Sequence, residues 1–209
     1  MKNVFIVDHP LVQHKLTYCR QEKTMNKEFR AIVEEISTLI LYEATRSFAL
    51  TEIEVRTPIS LGKGKVLAQP AVLFVPILRS GLVMLNAALR MVPTAKVGHL
   101  GFFRDPMTFS PVEYYRKLPI DVENRKCFVL DVMIATGGTS IAAVNSLKER
   151  GAETIKYISL IAAREGLHAL NRTHPDVEIY LADIDEELNA DAFLVPGLGD
   201  AGDRLYGTD

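Results

Sequence analysis

Hydrophobic positions in this chain fall into two alternating rhythms, one helical and one of short unbroken runs. Pro10–Arg20 and residues 26–48 read as helices. In the second, Phe29, Ile32, Val33, Ile36, Leu39 and Ile40 recur at the i, i+3, i+4, i+7 spacing of one buried face. TEIEVRTP (residues 51–58) alternates with period two, predicting a half-exposed strand, and GKGK (residues 62–65) reads as the following turn. Then the pattern becomes βαβ. Residues 71–75 and 96–103 predict strands flanking a helix over 82–91. Residues 104–121 are polar and punctuated by Pro106, Pro111 and Pro119; VEYYRKL in their middle can pair as a hairpin. An apolar run (Phe128, Val129, Leu130) leads to a helix marked by Ile141, Val144 and Leu147. A strand over 156–162, a helix over 165–172 and a strand over 177–182 follow. Strands apolar on both faces and separated by helices predict an α/β fold: a parallel sheet with helices on both faces. Ligands of such sheets bind beyond the carboxyl ends of the strands.

Three loops at those ends carry candidate chemistry. The first begins at Asp131, after the Phe128–Leu130 run, and continues through Val132, Met133, Ile134, Ala135, Thr136, Gly137 and Gly138 into the next helix. Glycines let backbone approach a phosphate, Thr136, Thr139 and Ser140 add hydroxyl donors, and the helix start adds unpaired amides and a positive dipole end. A carboxylate at the strand tip can accept two hydrogen bonds from sugar hydroxyls. Taken alone, this loop also fits an ordinary strand-to-helix turn. The second, PILRSGL (residues 76–82), sets Arg79 and Gly81 beside another helix start, and guanidinium is a good bidentate partner for phosphate. Taken alone, Arg79 equally fits a pairing with a surface acid. The third is LVPGLGDAGDRLYGTD (residues 194–209). Gly197, Gly199 and Gly202 match G-x-G-x-x-G only formally, since the helix and ribose-binding acid of that motif need about 20 further residues. Dense glycine with Asp200 and Asp203 describes instead a closely fitted loop that can read a small planar molecule through its backbone.

Composition narrows the class. With 209 residues, one core can bury roughly 70% of the unfolded surface. The contents of 48% hydrophobic and 24% charged residues are those of a globular domain, and no repeat or linker divides the chain. A net charge of −2 gives no global attraction to nucleic acid or anionic membrane. Lys63/Lys65 and Arg116/Lys117 read as solvated faces. Cys19 and Cys127 lack metal-ligand spacing and predict reduced thiols, and no window reaches 18 uninterrupted apolar residues. A cytoplasmic protein is the expectation.

Considered together, the segments carry a family resemblance. DVMIATGGTS resembles the phosphoribosyl diphosphate (PRPP) signature of type I phosphoribosyltransferases, and PILRSG their diphosphate loop. PGLGDAGDRLYGT is similar to the base-binding loop of the uracil branch, and HPLVQHKL (residues 9–16) and YEAT (residues 42–45) extend the likeness. The resemblance implies one domain over 1–209, with an N-terminal helical arm (1–70), a PRPP-binding core (71–182) and a uracil-binding C-terminal segment (183–209). It implies that Arg79 and Arg104 contact PRPP phosphates and that Asp131 holds the ribose hydroxyls. Val132, Met133, Ile134, Ala135, Thr136, Gly137, Gly138 and Thr139 would line the PRPP site, the last five of these wrapping the 5′-phosphate. The backbone of Leu194, Gly199 and Ala201 would read uracil. Asp200 would sit near PRPP and its hydrated Mg²⁺, with no direct protein ligand to the metal; Arg79, Arg104, Asp131 and Asp200 form the implied catalytic set. Homodimers or homotetramers are implied, with GTP as an activator in some members.

One departure is notable. The uracil branch usually has Asp-Pro, where this chain has Asp131-Val132. Valine restores backbone freedom, predicting a looser turn and a modestly weaker hold on PRPP. The function implied is uracil + PRPP → UMP + diphosphate. The competing class is a PRPP- or nucleotide-sensing regulator that binds RNA; it requires a basic surface, which the overall charge does not favour. A purine acceptor is the third reading, disfavoured by the tail.

Overall fold

A computed structural model describes residues 1–68, 71–105, 107 and 110–208 of the protein. In chain order the strands begin with β1 (Val4–Ile6), β2 (Leu50–Arg56), β3 (Leu61–Leu67), β4 (Val72–Leu78), β5 (Lys96–Val97), β6 (His99–Arg104) and β7 (Pro111–Lys117). They continue with β8 (Lys126–Leu130), β9 (Met133–Ile134), β10 (Thr154–Ile158), β11 (Ile161–Ala163), β12 (Glu178–Leu181), β13 (Asp183–Asp185), β14 (Glu187–Leu188) and β15 (Leu194–Val195). The helices are α1 (Pro10–Arg20), α2 (Asn26–Ala44), α3 (Gly81–Met91), α4 (Gly138–Lys148), α5 (Arg164–Thr173) and α6 (Ala201–Tyr206).

The main sheet runs β1-β12-β10-β8-β4-β6-β7, with β5 also on β4. Every pairing in it is parallel except β6 with β7, which is the hairpin expected of VEYYRKL. Side chains alternate between faces as strand geometry requires. Val72 and Phe74 pack with α1, α2 and α3, whereas Leu73 and Val75 pack with α4 and α5. Helices therefore cover both faces, as predicted. Local chemistry explains the boundaries of the arm. Pro10 stands at the first position of α1, and His9 Nδ1 accepts from the Leu11 amide at 3.2 Å.

Four differences from the predicted elements have a physical reason in the structure. The helix starting at Asn26 stops at Ala44 rather than at 48. Buried Lys156 reaches across from β10 and donates to the Ala44 carbonyl at 2.8 Å, so the helix's exposed carbonyl end meets a cation. Phe48 then turns back onto Phe128, with ring centroids 6.0 Å apart. GKGK is not a turn but the middle of β3, paired with Val55 and its neighbours; the turn is at 57–60, closed by Thr57 and Ser60. The β2–β3 ribbon is exposed along β2 and nearly all of β3 rather than half-buried, because none of the other described residues covers it. Finally, the strand predicted over 156–162 is broken. The Ser159 hydroxyl lies within hydrogen-bond reach of both the Val132 and Ile161 carbonyls, sharing its one proton between them, and the chain passes from the main sheet into a smaller one, β13-β11-β9. Both cysteines are buried and unpaired, and burial pushes each thiol up to about 12. Among the described residues, no helix is long and apolar enough to cross a membrane.

Candidate active site

A cleft of about 260 Å³ opens at the carboxyl ends of the neighbouring strands β4 and β8. Its first wall is the turn from β4 into α3, which contributes Leu78, Arg79 and Ser80. The Leu78–Arg79 peptide bond is cis. This turn lies against the end of β8: a Cβ on Gly81 would be 2.2 Å from the Leu130 carbonyl oxygen. Its second wall is the loop from β8 into α4. Gly137 holds φ +84°, in the left-handed region that favours glycine, and a Cβ there would sit 2.6 Å from Gly166 O. α4 begins at Gly138, so its leading amides lack helical acceptors beside the cleft that Gly137, Thr139 and Ser140 line.

Asp131 forms the base between these walls. It is buried, yet each carboxylate oxygen has a donor: Ser80 Oγ lies 3.0 Å from Oδ1, and Tyr157 Oη 3.1 Å from Oδ2. Tyr157 Oη is also 2.8 Å from Ser140 Oγ. A phenol has one proton and a carboxylate has none to give, so Tyr157 donates to Asp131 and accepts from Ser140. Desolvation dominates the acid's titration and pushes it up to about 6; bonds from Ser80, Tyr157 and the Val132 and Met133 amides work against that shift. Tyr157 is held well above its ordinary value by burial and by the adjacent carboxylate.

The C-terminal segment closes the third side with Asp200, Ala201 and Gly202. Arg79 meets it directly. Its guanidinium donates to Thr208 Oγ1 at 3.0 Å and pairs with Asp203 at 3.4 Å, while Tyr206 Oη donates to the Arg79 carbonyl. Asp200 caps α6 by accepting from the Asp203 amide at 2.9 Å. From behind, Arg204 lies over the Phe29 ring and donates to the carbonyls of Cys19, Leu198 and Gln21. Arg20 binds Asp183, Asp185 and the Gly197 carbonyl. The helical arm thus fastens the glycine-dense tail over the sheet.

Of the residues singled out in the sequence, Arg79, Asp131, Met133, Ala135, Thr136, Gly137, Thr139, Asp200 and Ala201 line one cleft. Val132, Ile134 and Leu194 turn their side chains into the core, leaving only backbone for a ligand. Gly199 lines a separate depression with Arg20, Pro196 and Arg204. Arg104 ends β6, and its side chain lies outside the described residues. The turn at Val132 is well tethered: Val132 is fully buried and its carbonyl accepts from Leu160 N and Ser159 Oγ, so its native backbone is fixed despite the missing proline. The surface pairing weighed for Arg79 does occur, with Asp203, alongside its place in the cleft. Tyr157, Ser80 and Gly166 are additional participants that the sequence reading did not select. A tyrosine inside a buried strand was the available signal, because its hydroxyl must find a partner.

A parallel sheet with a phosphate-type loop, an acid at the strand tip and a cation-bearing turn beside it defines the type I phosphoribosyltransferase class. Adenine phosphoribosyltransferase from Trypanosoma brucei shares the fold, with a TM-score of 0.60 at 12% identity over 96% of this chain and 89% of that one. The closer assignment follows from sequence. Residues 6–208 match the family model for uracil phosphoribosyltransferase. A uracil phosphoribosyltransferase of Thermoanaerobacter sp. (strain X514) is 56% identical over 207 residues, covering 99% of both chains. The solved AQ2163 protein from Aquifex aeolicus superposes with a TM-score of 0.93 at 38% identity, covering 99% of each. This chain belongs to the uracil phosphoribosyltransferase family.

Proposed function

We propose that this protein transfers the 5-phosphoribosyl group of PRPP to uracil, giving UMP and diphosphate. The observation that carries the reading is the meeting of the three loops around one cleft, with Arg79 touching the tail. In this reading the amides and hydroxyls from Ala135 to Thr139 hold the 5′-phosphate, and Asp131 accepts from the ribose hydroxyls. Arg79 would meet the diphosphate, and the family resemblance adds Arg104. The backbone of Ala201 at the cleft would read the uracil edge with Asp200 beside it, joined by the backbone of Leu194 and by that of Gly199 turning from its own depression.

The bond from C1 of the ribose to the diphosphate breaks as positive charge builds on the ring, and N1 of uracil forms the new bond from the opposite face. The protein supplies alignment and charge rather than a nucleophile. Among the described residues no three His, Cys or acidic side chains converge on a metal site. Mg²⁺ keeps several waters and binds substrate phosphates, so it would be carried by PRPP with no direct protein ligand, and Asp200 in the cleft would meet its water shell. When bound, the ion would neutralise the departing diphosphate.

We read residues 1–209 as one phosphoribosyltransferase domain, working in the cytoplasm as a homo-oligomer. Leu50, Ile53, Ile59 and Leu61 lie exposed on the two-stranded ribbon, a surface suited to a second copy. GTP enters the reading as an effector through the family resemblance alone. The test is incubation with labelled uracil, PRPP and Mg²⁺, with and without GTP. UMP should form, and excess cytosine should not compete, because its amine leaves polar groups in the loop unpaired. Absence of UMP would overturn the proposal.

A further inference from the structure

Resting on the reading of Asp131 as the ribose-binding acid, we infer that Tyr157 is a positioning residue for that carboxylate, braced in turn by Ser140. An aspartate's terminal torsion is soft, so its carboxylate plane has no strong preference of its own. Here the plane is fixed at both oxygens, by Ser80 at 3.0 Å from the α3 side and by Tyr157 at 3.1 Å from β10. The remaining lone pairs are left for the two hydroxyls of a sugar.

Tyr157 is fully buried, and its hydroxyl bonds to Asp131 and Ser140. Ser140, on the first turn of α4, donates to the phenol at 2.8 Å, which makes the phenol the better donor to the acid. The chain of hydroxyls therefore ties the start of the phosphate-side helix to the sugar-side carboxylate through one buried phenol. The groups facing Asp131 are Ser80, Tyr157 and the Val132 and Met133 amides, and it forms no ion pair among the described residues. Each of these donors favours its ionised form. Removing one weakens the hold on PRPP most where protonation competes.

Tyr157→Phe removes the hydroxyl and keeps the ring. The expected result is an acid limb of kcat/KM for PRPP that moves up by about one pH unit. That shift makes KM for PRPP about five-fold higher at pH 6 and equal to wild type by pH 8.5, with KM for uracil unmoved. Ionisation of PRPP itself is common to both proteins and cancels. Ser140→Ala, which leaves the ring untouched, should shift the same limb in the same direction by less, and it stands in should Tyr157→Phe fail to fold. A KM for PRPP raised equally at every pH, or a limb unmoved in both variants, would overturn the inference. Asp131→Asn separates it from the underlying reading. Loss of PRPP binding there with an unmoved limb in Tyr157→Phe sinks the inference alone, whereas unchanged PRPP binding sinks both.

Discussion

Gly166→Ala tests whether the phosphate-side loop holds its shape through backbone contact with α5. A Cβ at 166 would fall 1.9 Å from the Ala135 carbonyl oxygen and 2.8 Å from both Ala135 C and Gly137 N. All three are main-chain atoms, so no rotamer change relieves the clash. A carbon–oxygen contact settles at about 3.3 Å or more, so α5 and the loop must separate by roughly 1.4 Å. Misplacement of about 1 Å at a substrate-positioning element can cost about 10²-fold in rate. We therefore expect kcat/KM for PRPP to fall by about 10²-fold, with KM for uracil changing far less. Overpacking of this kind costs about 1–3 kcal/mol, and at this chain length lowers Tm by about 2–12 °C. Initial-rate kinetics at varied PRPP, beside a thermal melt followed by circular dichroism, measure both. A variant within two-fold of wild type in kcat/KM for PRPP would refute the assignment of that loop as a rigid phosphate cradle.

Arg79→Ala should remain folded, because its partners Asp203 and Thr208 are tied at an exposed surface where such pairs contribute about 0–1 kcal/mol. Its turnover should nevertheless drop by about 10²–10³-fold, and near wild-type steady-state kinetics would count against its role. Asp131→Asn should bind PRPP poorly yet melt higher than wild type at pH 8. Burial raises this acid from 3.8 to about 6, so its charged form costs the fold up to about 3 kcal/mol above pH 6. That cost fades as pH falls through 6 towards 4, so the two melting temperatures should converge near pH 4; a gap that is constant across pH would refute it.

Much of the architecture was legible because the core is two-sided. Runs such as Val72–Leu78 must be apolar at every position when helices cover both faces, and that pattern leaves few alternatives to a parallel sheet. The loops were legible because close backbone approach demands glycine, as at Gly81 and Gly137. The β2–β3 ribbon was misread because alternation normally reports a buried face, whereas Ile53 and Val55 alternate with charges over solvent. Gly64 is small for packing rather than for turning: a Cβ there would meet Val55 Cγ2 at 2.7 Å. The end of α2 was invisible because Lys156, which captures its last carbonyl, lies 112 positions away. Tyr157 escaped for a similar reason, since only the folded sheet sets its hydroxyl beneath Asp131.

The absent side chains at Gly81 and Gly166 have a mechanical consequence. The turn carrying Arg79 bears on the end of β8, and α5 bears on the loop after it, each through backbone atoms. The Arg79 turn, Asp131 at the end of β8 and the loop after it therefore form one stiff floor that cannot flex piecemeal. The tail across from it is latched to Arg79 by exposed bonds at Thr208, Asp203 and Tyr206, the kind that open at little cost. The bonds between Arg79 and the tail therefore open before any contact within the floor, while Arg20 and Arg204 keep the rest of the tail in place.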